Sequence, residues 1–293
     1  MPMIEIVRPG MQATIQDLGR WGFGHLGVPE AGATDPKSLR LSNRLVGNPE
    51  GAAAIEFLLG GLAVRFHCQR AFAISGAPVD LRINGRPAEA GQWQLARDGD
   101  LVVAGRVGHG LRSYLAIAGG IDVAPVLGSR STDTLSGLGP DALELGDRLD
   151  LGSPGPQAPA VDVVMSTISR PPVELRVDFH WGPRDDRFTS AARRALVGST
   201  FMISPEVDRI AARLDGPALE FSDRSELATE GLALGSIQVP PSGRPIIHLA
   251  NHPPTGGYAV IGVVTSDDVA TLSQCPPGTR IRFRPLARTG SPF

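Results

Sequence analysis

The sequence predicts a mainly β protein, arranged as two barrel- or sandwich-like halves with a few short helices. Three observations point there. Glycine and proline, at 36 and 26 of 293 residues, cut the chain into short runs, most of them alternating or β-branched. Asn84-Gly85 stands between two such runs, and both residues accept the positive φ that a two-residue hairpin turn demands. One form also repeats, a tight polar turn feeding a strand, at Asp98-Gly99-Asp100, Leu145-Gly146-Asp147 and Pro277-Gly278-Thr279.

In chain order, strands are expected at residues 62–66, 71–75, 79–83, 101–104 and 111–118, then at 161–165, 173–179, 237–239 and 259–264. The first helix opens at Asp35-Pro36, with Asp as N-cap and Pro at the first helical position. It should run to Val46 and stop at Gly47, before Asn48-Pro49. A second opens at Thr189 or Ser190 and continues through Leu196 to Gly198. A third opens at Ser266-Asp267-Asp268 and ends near Ser273. The Pro- and Gly-rich stretch at 152–159 reads as a linker, which puts a domain boundary within 152–170 and divides the chain into 1–160 and 161–293. The alternative is one continuous β domain with a long excursion.

Composition limits the function. With 42% hydrophobic residues and a mean hydropathy near zero, the chain suits a packed globular protein and not a disordered one. A net charge of −2 gives no general attraction for a polyanion, so no nucleic-acid partner is expected. Cys68 and Cys275 make neither a disulfide framework nor a metal set, and reduced thiols in a cytoplasmic protein are expected. Residues 1–8 lack the regions of a signal peptide, and no apolar run approaches the roughly 18 residues of a membrane span, so no membrane partner is expected.

Chemistry concentrates on glycine-rich polar loops. The most informative runs from Gly10 through Thr14-Ile15-Gln16-Asp17-Leu18-Gly19-Arg20 to Trp21-Gly22 and Gly27-Val28-Pro29. It sets an amide, a carboxylate and a guanidinium among glycines, groups that a hydrophobic core does not need and that are costly to bury unpartnered. Gly128-Ser129-Arg130-Ser131-Thr132-Asp133 places three hydroxyls around an arginine and an aspartate. That suits an anion or polar ligand with Arg130 as clamp, although an Asx- or Ser/Thr-turn uses the same residues. Thr255-Gly256-Gly257-Tyr258 is a third such loop, and Gln238 lies in the strand ahead of Pro240-Pro241. Loops 14–35, 128–133 and 251–258 are together expected to frame the site.

Other motifs are set aside. Gly22-Phe23-Gly24-His25-Leu26-Gly27 matches the G-x-G-x-x-G of dinucleotide sites, but Pro29 removes a donor where the helix would have to begin. No G-x-x-x-x-G-K-[ST] loop and no G-x-S-x-G elbow occur. His248 and His252 are four apart, yet Pro253 and the surrounding strand pattern forbid a shared helical face, so no metal is expected. The only lysine, Lys37, has no methionine beside it, so no biotin is expected on this chain.

Read in order, these motifs, with Asn48-Pro49, Leu127-Gly128-Ser129-Arg130-Ser131-Thr132 and Gly235-Ser236-Ile237-Gln238-Val239-Pro240, resemble a known family. It is the allophanate hydrolase subunit 2 family, which is also that of the C-type subunit of 5-oxoprolinase and of the KipA-like proteins. It corresponds to the A/B half of the urea carboxylase-type carboxyltransferase domain. The likeness covers residues 4–285. It implies two cyclophilin-like β-barrel subdomains, a subunit 1 (KipI-like) partner and a third subunit. The implied activity is ATP-dependent opening of 5-oxoproline to glutamate, an amide hydrolysis with ATP bound by the assembled complex and no activity without the partners. Two alternatives accompany it: carboxyl transfer to urea or a related amide from biotin on another chain, or a non-catalytic KipA-like regulator. This chain departs from the family's pattern at Ala31-Gly32-Ala33-Thr34-Asp35, at Val207 to Leu214, and at Asn251, where many relatives have an aspartate.

Because 5-oxoproline carries a carboxylate and a lactam, the implied site needs a guanidinium, hydrogen-bonding partners and a carboxylate able to manage a proton. The expected substrate-binding residues are Gln16, Arg20, Arg130, Thr132, Thr255 and Tyr258. Arg20 and Arg130 would hold the anion, and Gln16 and Thr255 the lactam or a phosphate. Asp17 or Asp133 would handle the proton. In the plainer reading, Asp17–Arg20 and Arg130–Asp133 are braces internal to their own loops.

Overall fold

A computed structural model of the chain describes residues 2–155, 170 and 172–287. The expected boundary at 160/161 and the expected strand at 161–165 lie outside the described residues. The chain divides into two compact units: Met1–Trp21 with Ala31–Arg170, and Gly22–Glu30 with Pro171–Phe293. The fold is mainly β with three short α-helices among the described residues.

In the first unit the strands form two sheets. One runs Arg148–Asp150, Met3–Arg8, Ala63–Phe66, Leu101–Val107, Val79–Ile83, Arg86–Ala88. The other runs Ala13–Gln16, Ala54–Leu58, Arg112–Ile117, Arg70–Gly76, Trp93–Ala96. Alternation sends Ile4, Ile6, Val64, Phe66 and Val102 from the first sheet, and Ile15, Phe57, Phe72, Ile74 and Leu115 from the second, into one core. The expected Asn84-Gly85 turn joins Ile83 to Arg86, with φ of 50° and 78° at the two turn residues.

The outer face of the five-stranded sheet is covered too, so all of Arg112–Ile117 is buried. Helix α1 (Pro36–Leu45) lies there, burying Leu39, Leu41 and Leu45 against Ala54, Ala73 and Tyr114. Asp35 caps it as expected, accepting from Ser38 N–H at 3.1 Å. The Asn48-Pro49 motif finishes the helix: Asn48 donates to the Asn43 side chain and Ile117 carbonyl and accepts from Gly119 N–H. The loop before α1 is tied down by polar groups that sequence reasoning missed. Tyr114 Oη donates to Glu56 at 2.7 Å and accepts from Asp35 N–H at 2.8 Å. Burial, then the charges of Glu56 and Asp35, raise the Tyr114 phenol well above its ordinary value.

In the second unit seven strands close a barrel in the order Glu174–Trp181, Ala259–Val264, Ser236–Val239, Ile246–His248, Ala211–Asp215, Phe201–Val207, Arg280–Pro285. Closure comes from the parallel pairing of Arg280–Pro285 with Glu174–Trp181. Both strands alternate strictly. Leu175, Val177, Phe179, Ile281 and Phe283 point inward, and Arg284 stands outside, forked onto Asp178 at 2.5 and 2.6 Å. Helices α2 (Ser190–Gly198) and α3 (Ser266–Leu272) add Ala192, Leu196, Val269 and Leu272 to this core. Their caps are Thr189, as expected, and Thr265, one residue before the expected Ser266. No helix among the described residues is long and apolar enough to cross a membrane. Both thiols are free, with that of Cys275 pushed up to about 12 by burial.

Candidate functional site

In the first unit the polar loop after the Ala13–Gln16 strand meets the loop after Gly128. Backbone bonds align them, Thr132 N–H to Ile15 O and Leu143 N–H to Ala13 O, both at 2.8 Å. Asp17 then accepts four hydrogen bonds. Oδ1 takes Gly19 N–H at 2.8 Å and the Ser129 and Ser131 hydroxyls at 2.6 Å each, and Oδ2 takes Arg130 N–H at 2.6 Å. Arg20, fully buried, donates from Nη2 to the Ser131 carbonyl at 2.5 Å, and its Nη1 lies 3.8 Å from Asp133 Oδ2. Burial pulls the Arg20 guanidinium below its ordinary value, opposed by Asp133 and Asp17. Asp133 also accepts from Leu135 N–H, Ser136 N–H and the Ser136 hydroxyl.

Gly139 shows how tightly the two loops close. At φ +83°, a Cβ there would sit 2.2 Å from the Ser131 carbonyl oxygen and 3.1 Å from Arg20 Nη2. The pairing runs across the loops: Asp17 with residues 129–131, and Arg20 with Asp133. The Arg130–Asp133 brace expected from spacing does not form, Asp17 acts on Arg20 only through its charge, and both aspartates also accept backbone N–H groups of their own loops.

Four buried polar atoms in this cluster have no hydrogen-bond partner: Gln16 Oε1, Thr132 Oγ1, and Nε and Nη1 of Arg20. Gln16 is fixed through its nitrogen, which donates to Thr14 Oγ1 at 3.0 Å and to the Thr132 carbonyl at 3.1 Å. An acceptor, a hydroxyl and cationic donors in this cluster thus keep unused hydrogen-bonding capacity while buried. Arg130 contributes mainly its backbone. Its side chain is 40% exposed, the guanidinium donating to the Val123 carbonyl at 2.7 Å and lying 3.7 Å from Asp122.

The second unit holds another polar assembly, on the barrel strands. Gln238 Nε2 donates to the Tyr258 carbonyl at 3.1 Å, leaving Oε1 to accept from His248 Nε2 at 3.0 Å. His248 thus carries its proton on Nε2, and its bare Nδ1 is buried without a partner. Burial first, then neighbouring His252, bring the His248 imidazole down to about 4. The His252 ring lies 6.0 Å away and is bonded through Nδ1 to the Pro253 carbonyl at 2.8 Å. Gly256 is needed against this layer, since a Cβ would stand 2.6 Å from Gln238 Nε2. Asn251 is fully buried, its N–H donating to the Arg209 carbonyl at 2.9 Å.

Thr255 and Tyr258 go to different places. Thr255 lines a cavity of about 360 Å³ with His25, Glu30 and His252. Tyr258, half-exposed, lines another of about 540 Å³ with Arg187, Phe221 and Arg224. The structure therefore gathers Gln16, Asp17, Arg20, Thr132 and Asp133, turns the Arg130 side chain outward, and sets Thr255 beside histidines that sequence spacing left without a role. The visible signal for those was His252-Pro253-Pro254, a histidine held by a rigid turn.

Residues 26–285 match the family described as carboxyltransferase domain, subdomain A and B. The chain is 37% identical to the C-type subunit of 5-oxoprolinase from Escherichia coli, over 96% of its own length and 90% of that protein's. It is 31% identical to the protein of the same name from Haemophilus influenzae, over 97% of this chain and 92% of that protein. The crystal structure of the K. lactis urea amidolyase superposes with a TM-score of 0.88 at 28% identity, covering 97% of this chain and 19% of that one. The resemblance read from the ordered motifs is borne out: this chain belongs to the carboxyltransferase subdomain A and B family.

Proposed function

We propose that the chain is the C-type subunit of a heteromeric, ATP-dependent 5-oxoprolinase, in which 5-oxoproline, ATP and water give glutamate, ADP and phosphate. The near full-length likeness to two bacterial proteins of that name supports the assignment. The geometric observation offered in its support is the set of buried polar atoms on Gln16, Arg20 and Thr132 without a hydrogen-bond partner, a pattern that structural polar groups avoid and functional ones show. In this reading Arg20 faces the anion, Gln16 and Thr132 hydrogen-bond the substrate, and Asp133 is the carboxylate nearest a proton in transit. Asp17, saturated by four donors, positions the loop. ATP belongs with the assembled complex, because this chain has no phosphate-cradling lysine loop and its Lys37 stands exposed in the first turn of α1. The rest of the assembly is a subunit 1 (KipI-like) protein and a third subunit.

A second reading, carboxyl transfer to urea or a related amide with biotin on another chain, is favoured by the superposition on urea amidolyase.

ATP turnover by the co-expressed complex, with and without 5-oxoproline or urea, separates the two. Turnover that responds to neither sinks both. The site is tested by Thr132→Val, which removes only a hydroxyl lacking a protein partner. Melting temperature should hold or rise slightly, while kcat/KM falls roughly 2- to 10-fold for one lost neutral hydrogen bond. Unchanged kcat/KM removes Thr132 from the site.

A further inference from the structure

We infer that the second unit's cavity beneath His252 is a binding site for the N–H edge of a small neutral amide, a carboxamide, lactam or urea, with His252 Nε2 as its acceptor. The inference concerns a neutral ligand and stands apart from the 5-oxoprolinase reading, which assigns its anionic substrate to the first unit.

The lining carries the inference. The cavity, about 360 Å³, is the size of a small-molecule site, and Gly24, Val28, Pro29, Gly231, Leu232 and Pro254 give it an apolar wall. Its polar side chains are His25, Glu30, His252 and Thr255, with no arginine or lysine among them. An anion would face a carboxylate and no fixed cation there, so a neutral ligand is selected. His252 is 5% exposed, and its Nδ1 is committed to the Pro253 carbonyl, which fixes the tautomer and leaves the Nε2 lone pair for a ligand. Burial lowers the His252 imidazole and raises the Glu30 carboxyl. The first effect keeps His252 an acceptor at neutral pH. Gln238 and His248 sit behind the ring and hold that part of the barrel in place.

The probe is 2-pyrrolidinone, a neutral lactam, with γ-butyrolactone as its counterpart lacking N–H. Imidazole nitrogen NMR of the full chain should show His252 Nε2 shifting with the lactam and not with the lactone, the signal assigned by its loss in His252→Gln. Gly231→Leu adds bulk to the cavity wall at a position where a Cβ meets nothing within 4 Å. It should abolish the shift at unchanged melting temperature. Equal response to lactone and lactam, no response at His252, or a shift that survives Gly231→Leu overturns the inference. Turnover is read separately. A wild-type complex without 5-oxoproline-dependent ATP hydrolysis overturns the 5-oxoprolinase reading while leaving the lactam result standing.

Discussion

Replacing Asp17 by asparagine tests whether this carboxylate holds the loop or handles a proton. The wild-type side chain accepts from Gly19 N–H, two serine hydroxyls and Arg130 N–H, all between 2.6 and 2.8 Å. An asparagine oxygen can keep the three donors on Oδ1, but they lose charge assistance, a difference of about 1 kcal/mol per bond before neighbours compensate. The new amide NH2 would face the Arg130 N–H, donor against donor, at a 2.6 Å separation that only an acceptor tolerates. Together these give a loss of about 3 kcal/mol, less than the sum because the bonds share one loop. For a unit of this size that corresponds to roughly 6–12 °C in melting temperature. Arg130→Ala is the matched control. It keeps the backbone N–H and removes a half-exposed side chain with one strong contact, the Val123 carbonyl, so it should cost less than about 1 kcal/mol. Thermal and urea denaturation of both variants, with ATP turnover of the complex normalised to folded fraction, decides it. An Asp17→Asn protein that melts within about 2 °C of wild type yet loses turnover would refute the bracing role and restore Asp17 to proton transfer.

Gly139→Ala puts a methyl 2.2 Å from the Ser131 oxygen at positive φ, so it should destabilise the first unit by about 3 kcal/mol or more in urea denaturation. Tyr114→Phe leaves Asp35 N–H and Glu56 short of a buried partner, and a loss of about 1–3 kcal/mol is expected in the same measurement. His248 is held neutral, near 4 folded against an ordinary 6.5, so the unfolded chain binds the proton first as pH falls. Its contribution is therefore complete above pH 6.5 and declines toward pH 4. Unfolding free energy should drop by about 2 kcal/mol between pH 7 and 5 from this group alone, and His248→Gln should flatten that part of the profile.

The local features of the fold were legible because they depend on a few neighbouring residues. Asp35-Pro36 could only begin a helix, and Asn84-Gly85 could only turn a hairpin in the company of two alternating strands. The limits of α3 shifted by one residue because Thr265 and Ser266 are both competent caps, and the backbone at Thr265 was the one in the extended conformation. The site was half legible. Glycines around Gln16, Asp17 and Arg20 signalled a close approach of chain to chain, but spacing alone paired each acid with its own loop's base. The partner in fact lies more than a hundred residues away, at Ser131 for Arg20. Long-range pairing of this kind leaves no periodic trace. Neither does burial of Glu56 and Arg112 on a sheet face that a helix happens to cover, where alternation suggests solvent. The histidines were visible but looked idle, since strand spacing hides the fact that Pro253 orients one ring and Gln238 the other.

The parallel pairing of Glu174–Trp181 with Arg280–Pro285 has a bearing on how the second unit comes into being. A parallel pair cannot be made by a hairpin, and here its two members are the first and last of the seven strands to leave the ribosome. The ladder can grow through antiparallel neighbours during synthesis, but the seam waits for the final strand. Until then Val177 and Phe179 lie along an open edge, the part of a nascent sheet most prone to pair with another chain. A frameshift ahead of Ile281 would therefore do more than shorten the protein: it would leave that edge without its partner strand.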